Sequence, residues 1–235
     1  LIKRLIYTIS FSGCYYFATA QVQTTTTMAA WGGYFFTAPV SSKWSLVGDA
    51  QVRSKNGFSQ LSQFLIRAGV AYNVRPNWSI IVGTANFQST GKVFNEAILL
   101  NEFRLWQENA LQLDLSPFSL FFRTRMEQRW LQRPVTDSTV GINYINRLRN
   151  KVSITYPLSS TLMAEMGTEV MVVSHQSNMM DLLRAFGGMY VSLNNNVRCQ
   201  IQYLYQCQYK VDALAHYRDN QHIIRINILQ DFSRR

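Results

Sequence analysis

Guanidinium and carboxylate groups recur at every second position over much of this chain. Residues 119–131 place Phe121, Arg123, Arg125, Glu127 and Arg129 on one parity, with Leu120, Phe122, Thr124, Met126, Gln128 and Trp130 on the other. Residues 142–156 repeat the division, Arg147, Arg149, Lys151, Ser153 and Thr155 against Leu148, Val152, Ile154 and Tyr156. Glu102 and Arg104 oppose Leu99, Phe103 and Leu105, and Asp49 and Arg53 oppose Trp44, Leu46, Ala50 and Val52. Arg67, Glu165 and Glu169 join the charged parity, with Arg198 near it. Opposite charges at strand spacing pair across neighbouring strands, each pair stabilising by roughly 0.2–1 kcal/mol. An excess of arginine in an enclosed ring attracts anions. Two roles follow for these residues: a plug of paired side chains, or a constriction that favours anions.

Other chemistry is thinly supported. His175 and His216 fall in polar links, and His222 starts an apolar-parity segment. Spacing assembles no Ser–His–acid set from them, so a lipid-acting enzyme is a minor alternative and no catalytic residue is assigned. No Cys/His cluster has metal-ligand spacing, and neither metal nor cofactor is expected. Cys199 and Cys207 are eight residues apart in one segment, about 26 Å at strand rise, beyond disulfide reach.

The elements that must carry these rows are strands. Period-two alternation runs almost unbroken from Thr24, the signature of half-buried strands. It defines segments 29–38, 43–53, 59–73, 77–88, 95–107, 119–131, 142–156, 161–174, 182–193, 196–208 and 221–232. Most exceed the ~5–6 residues usual in soluble sheets and reach the ~9–11 needed to cross a bilayer. Each has one greasy side and one side rich in Arg, Glu and Gln. In a soluble sandwich the greasy sides would meet in a core; in a transmembrane barrel they would face lipid and the charges a lumen.

Composition narrows the choice. The chain has 235 residues, 47% hydrophobic and 13% aromatic, with 23 basic against 13 acidic residues. Past the first twenty residues no apolar run is long enough for a spanning helix, and the aromatic and β-branched content argues against disorder. Arginine outnumbers lysine, 17 to 6, which suits close pairing in a confined space. Lys3 and Arg4, the apolar stretch Leu5–Phe17 and Ala18-Thr19-Ala20 read as an export signal. Phe11-Ser12-Gly13-Cys14 offers lipidation at Cys14 as an alternative. Export argues against nucleic acid as the partner of the positive charge. Aromatics near segment ends (Trp31, Tyr34, Trp44, Tyr72, Trp78, Trp106, Trp130, Tyr156) and the final Leu229-Gln230-Asp231-Phe232 also fit a barrel.

The expected organisation is a signal peptide at 1–20, a lead-in at 21–28 and an antiparallel up-and-down transmembrane barrel at 29–235. Eleven segments conflict with the even strand number of bacterial single-chain barrels, so ten or twelve strands are expected. Short links at Ala38–Lys43, Val74–Asn77, Tyr156–Ser160 and Leu193–Asn196 predict one end. Longer ones at Ser54–Phe58, Gln88–Asn95, Gln132–Gly141, Ser174–Asp181 and Tyr209–Asn220 predict the other; Glu108–Phe118 is long on the short side. Outer-membrane lipid is the expected partner, with envelope proteins possible through Gln132–Gly141 and Tyr209–Asn220.

The order of several motifs resembles an uncharacterised family of bacterial outer-membrane barrels common in Bacteroidetes, domain of unknown function 2490. They are Trp31, Lys43-Trp44, Asp49-Ala50-Gln51-Val52-Arg53, Leu65-Ile66-Arg67-Ala68-Gly69-Val70-Ala71-Tyr72 and Glu102-Phe103-Arg104-Leu105-Trp106-Gln107. Arg123-Thr124-Arg125-Met126-Glu127-Gln128-Arg129, Arg147-Leu148-Arg149 and Tyr156-Pro157-Leu158 complete the set, which covers residues 31–158. The resemblance implies an outer-membrane barrel and supplies no activity.

Overall fold

The computed structural model describes residues 23–57, 59–93, 96–135, 139–174, 180–211 and 216–232. The proposed signal peptide and His175 lie outside them. Among the described residues are eleven strands and no helix: β1 (Gln23–Pro39), β2 (Trp44–Lys55), β3 (Gln60–Arg75), β4 (Trp78–Val93), β5 (Glu96–Leu115), β6 (Phe118–Pro134), β7 (Val140–Pro157), β8 (Leu162–Val173), β9 (Met180–Ser192), β10 (Val197–Val211) and β11 (His216–Asp231). They form one closed barrel, the arrangement that leaves no sheet edge unpaired.

Closure explains the strand count. Every sequential pair is antiparallel, whereas β1 meets β11 in parallel from Gln23↔Tyr217 to Thr37↔Asp231. The expectation of ten or twelve strands is therefore corrected to eleven; an odd number closes once a single seam is parallel. That seam also corrects the lead-in. Residues 23–28 are not a free approach to the barrel, because Thr24–Thr27 pair with Arg218–Gln221.

Strand lengths change the expected links as well. β5 continues through Glu108 to Leu115, so the long link at Glu108–Phe118 shrinks to a turn at Ser116-Pro117. The links expected at Gln132–Gly141 and Tyr209–Asn220 are also shortened, since β6 and β10 reach Pro134 and Val211, and β7 and β11 begin at Val140 and His216.

The register fixes the tilt. Starting at Trp31 and crossing β2, β3 and β4, perpendicular pairs lead to Leu100 in β5. The other way round, through β11 to β6, they lead to Asp114 in the same strand. At ~3.3 Å per residue and ~4.8 Å between strands, that offset over eleven strands is a tilt of about 40°, within the range of closed barrels.

The two surfaces of the wall differ as the parity requires. Exposed outward residues include Leu46, Val52, Ile66, Val70, Val82, Leu105, Met126, Leu148, Val152, Met166, Ile201, Ile224 and Ile226. Buried inward ones include Glu102, Arg104, Arg125, Glu127, Arg147, Arg149, Glu165, Glu169 and Arg184. Aromatics form outward rungs: Trp130 packs on Tyr144 and Phe103, Phe118 on Tyr156, and Trp44 on Tyr72. Trp31 and Trp106 depart from the expected rim positions. Both point inward and are buried, 8% and 4% exposed, because their parity is that of the charged row.

Candidate functional site

The inward face carries a circuit of contacts, side chain to side chain except for the step along the β4 backbone from Ser89 to Phe87. Glu127 stands at its densest point, 2.6 Å from Arg147 Nη2, 2.9 Å from Arg149 Nη1, 3.4 Å from Arg104 Nη1 and 3.9 Å from Arg125 Nη1. Arg149 also reaches Glu169 at 2.8 Å, and Glu169 accepts from Arg123 at 2.6 Å and Arg184 at 2.9 Å. The Arg184 guanidinium lies 5.2 Å from the Trp31 ring centre, and Arg53 covers the same ring at 4.2 Å. Arg53 donates to Gln63, and Gln63 to Ser89, on the strand that holds Phe87. Arg104 stacks on Phe87 at 3.5 Å and returns the path to Glu127.

Further pairs hang on this circuit. Glu102 joins Arg104 at 2.5 Å and Arg129 at 2.6 Å, Asp49 joins Arg67 at 2.8 Å, and Glu108 joins Arg125 at 2.5 Å. Glu165 takes Lys151 at 3.0 Å and the Tyr190 hydroxyl at 2.8 Å, with amide donors from Gln200 and Gln202. Buried charges persist only where paired and hydrogen-bonded, and these carboxylates meet that condition.

Glycines make room for the large inward groups. Gly69 and Gly83 lie on the inward parity of β3 and β4, and the Trp106 indole occupies the space their side chains would fill. A Cβ on Gly83 would also strike the Ala68 carbonyl oxygen. The indole is thereby held flat to the wall, and the Arg125 guanidinium stacks on it at 4.5 Å.

Every one of the thirteen sequence-derived candidates faces the interior. Asp49, Arg53, Arg67, Glu102, Arg104, Arg123, Arg125, Glu127, Arg129, Arg147, Arg149, Glu165 and Glu169 all take part in the contacts above. In the β5–β6 ladder Arg104 sits opposite Arg129, and Glu108 faces Arg125. Glu108, Lys151, Asp181, Arg184 and Arg225 are inward charges the candidate set lacked. Glu108 continues the parity of Glu102 and Arg104 beyond the assumed strand end, so the signal was present.

The remaining reactive side chains lie elsewhere. His222 is on the outer surface, its Nδ1 2.5 Å from the Tyr203 hydroxyl and its ring against Tyr205. His216 begins β11. Cys199 and Cys207 are free thiols, and Cys207 accepts from Arg218 Nε at 3.2 Å. Among the described residues no group of three or more His, Cys, Asp or Glu is placed to hold a metal ion.

The circuit borders a cavity of about 580 Å³. Among the described residues, eleven cationic side chains line it against three carboxylates, Glu102, Glu165 and Glu169. Glu108, Glu127 and Asp49 do not line it, so guanidinium groups dominate the charged lining. Arg53, Arg198 and Arg225 reach it without any carboxylate partner among the described residues; Arg198 covers the Tyr190 ring and Arg225 donates to Gln202. Nε of Arg53, Arg123 and Arg225 is buried without a hydrogen-bond acceptor.

Solved structures with a similar fold include the NanC porin in a rhombohedral crystal form, at 10% identity and a TM-score of 0.50, covering 80% of this chain and 90% of that one. The beta domain of the Bordetella autotransporter BrkA aligns at 8% identity and a TM-score of 0.37 over 77% of this chain and 82% of that one. No curated protein matches. The family model described as Protein of unknown function (DUF2490) matches residues 28–215, well past the motifs that end at Leu158, and the chain belongs to that family.

Proposed function

We propose that this protein is a bacterial outer-membrane barrel that acts as a narrow, anion-accepting pore, with the circuit around Glu127 as its constriction. The observation that carries the reading is the cavity surface, where among the described residues eleven cations face three carboxylates and Arg53, Arg198 and Arg225 have no ion-pair partner. Charge rings of this sign select anions. The membrane setting is supported by the apolar outer surface and by its aromatic rungs. Phe118 and Trp130 on β6, and Tyr156 and Tyr144 on β7, are each twelve residues apart. At ~3.3 Å per residue and a tilt of about 40° that is about 30 Å along the axis, close to the ~25 Å apolar band of such barrels. The likeness to a porin fold points the same way, as does the export-signal pattern at 1–20. No catalytic role belongs to this reading.

Purified protein in planar bilayers under a tenfold KCl gradient tests the pore. The reading expects small discrete conductances and a reversal potential displaced toward that of chloride. A potential displaced toward potassium would contradict it. Absence of any conductance would favour the second reading, a structural barrel, for which the closed circuit of inward contacts speaks. Envelope partners at the end opposite the short turns belong to that second reading, and co-purification from gently solubilised membranes would test them.

A further inference from the structure

The outer surface is not uniformly apolar. On β4 to β7 the outward parity carries Thr84 and Asn86, Gln107 and Asn109, Thr124 and Gln128, and Asn146 and Asn150. Thr124 lies six residues from both Phe118 and Trp130, and Asn150 six from both Tyr144 and Tyr156. The two are register partners, and the Thr124 hydroxyl donates to Asn150 Oδ1 at 2.9 Å. This exposed pair therefore sits halfway between the aromatic rungs, at the depth where acyl chains offer no hydrogen bonds. Across the barrel, the outward positions of β11 at comparable depth are Ile224 and Ile226.

The stripe is only half satisfied. Gln107 and Gln128 exchange a reciprocal pair of hydrogen bonds at 3.2 and 3.3 Å, which uses one N–H and one oxygen lone pair of each amide. A second N–H and a second lone pair remain on both. Asn150 accepts from Thr124, and its own amide donors have no acceptor among the described residues; the Asn86 side chain has no hydrogen bond there either. Left against lipid, such groups are costly.

We infer that this face is the interface between two copies of the chain, packed through β5, β6 and β7. The inference rests on the reading that the outer surface meets lipid. What selects a second copy is self-complementarity. The stripe carries amides and hydroxyls that both donate and accept, and no charged group, so a two-fold axis near Thr124–Asn150 sets amides against amides without repulsion. Isologous contacts of this kind are the commonest in homo-oligomers.

Cysteine cross-linking in native membranes tests it, in a background with Cys14→Ser, Cys199→Ser and Cys207→Ser. Asn150→Cys should give a cross-linked band of twice the monomer mass, and Ile226→Cys should not. Full-length protein should sediment as a dimer in mild detergent. Thr124→Val with Gln107→Leu, Gln128→Leu and Asn150→Leu should sediment as a monomer while keeping the heat-modifiable gel migration of a folded barrel. A monomeric parent protein, equal cross-linking at both sites, or cross-linking only to a different protein would overturn the inference. Quenching of Trp44, on β2 away from this face, by brominated lipid separates the two failures: with quenching, only the dimer falls; without it, the membrane reading falls too.

Discussion

The barrel interior has two unlike walls. On β5 to β9 seven inward guanidinium groups meet carboxylates: Arg104, Arg123, Arg125, Arg129, Arg147, Arg149 and Arg184 share Glu102, Glu108, Glu127 and Glu169. On β10, β11 and β1 to β4 the buried inward carboxylate among the described residues is Asp49, held by Arg67, while Asp219 and Asp231 share the inward parity at the two ends of β11. There Arg53, Arg198 and Arg225 rest on Trp31, Tyr190 and Gln202 instead. Charge on the first wall is paired; on the second wall three guanidinium groups have no carboxylate partner among the described residues.

That contrast predicts unequal responses to mutation. Glu127→Ala should have the largest effect, because four arginines within 3.9 Å lose their common counter-charge. Removing one partner of a buried pair costs about 3–5 kcal/mol, readable as a lower urea midpoint for unfolding in lipid. Gly83→Ala should come next, at about 1–3 kcal/mol, since the added Cβ meets both the Ala68 carbonyl and the Trp106 indole. Arg53→Gln with Arg225→Gln should cost least, within about 1 kcal/mol, because no ion pair is broken. The same double variant should nonetheless move the reversal potential toward zero. If it cost as much as Glu127→Ala, the two walls would not differ as described.

Much of this was legible in the sequence, because a period of two assigns every residue of a strand to one side once a single inward residue is known. Arg123 to Arg129 and Arg147 to Arg149 were placed inward on parity alone. Parity says nothing about where a strand stops, and so Glu108 was missed, although Leu111, Leu113 and Leu115 continue the alternation and the segment is held in the ladder by β4 and β6. Parity also cannot say which aromatic is a girdle residue. Trp106 lies inward because Gly69 and Gly83, far away in sequence, vacate its space. The parallel seam was equally hidden, since Thr24–Thr27 carries no apolar alternation and gains its place only from pairing with β11.

The most direct test of the inside-out arrangement uses the five tryptophans. Trp44, Trp78 and Trp130 are on the outer surface, whereas Trp31 and Trp106 are buried within. Single-tryptophan variants, the other four replaced by Phe, would be reconstituted in bilayers of lipid brominated along the acyl chain. Trp44 and Trp78 should be quenched, Trp31 and Trp106 hardly at all, and Trp130, on the face inferred to pair two copies, less in a dimer than in a monomer. Strong quenching of Trp31 and Trp106 with the other three untouched would contradict the account.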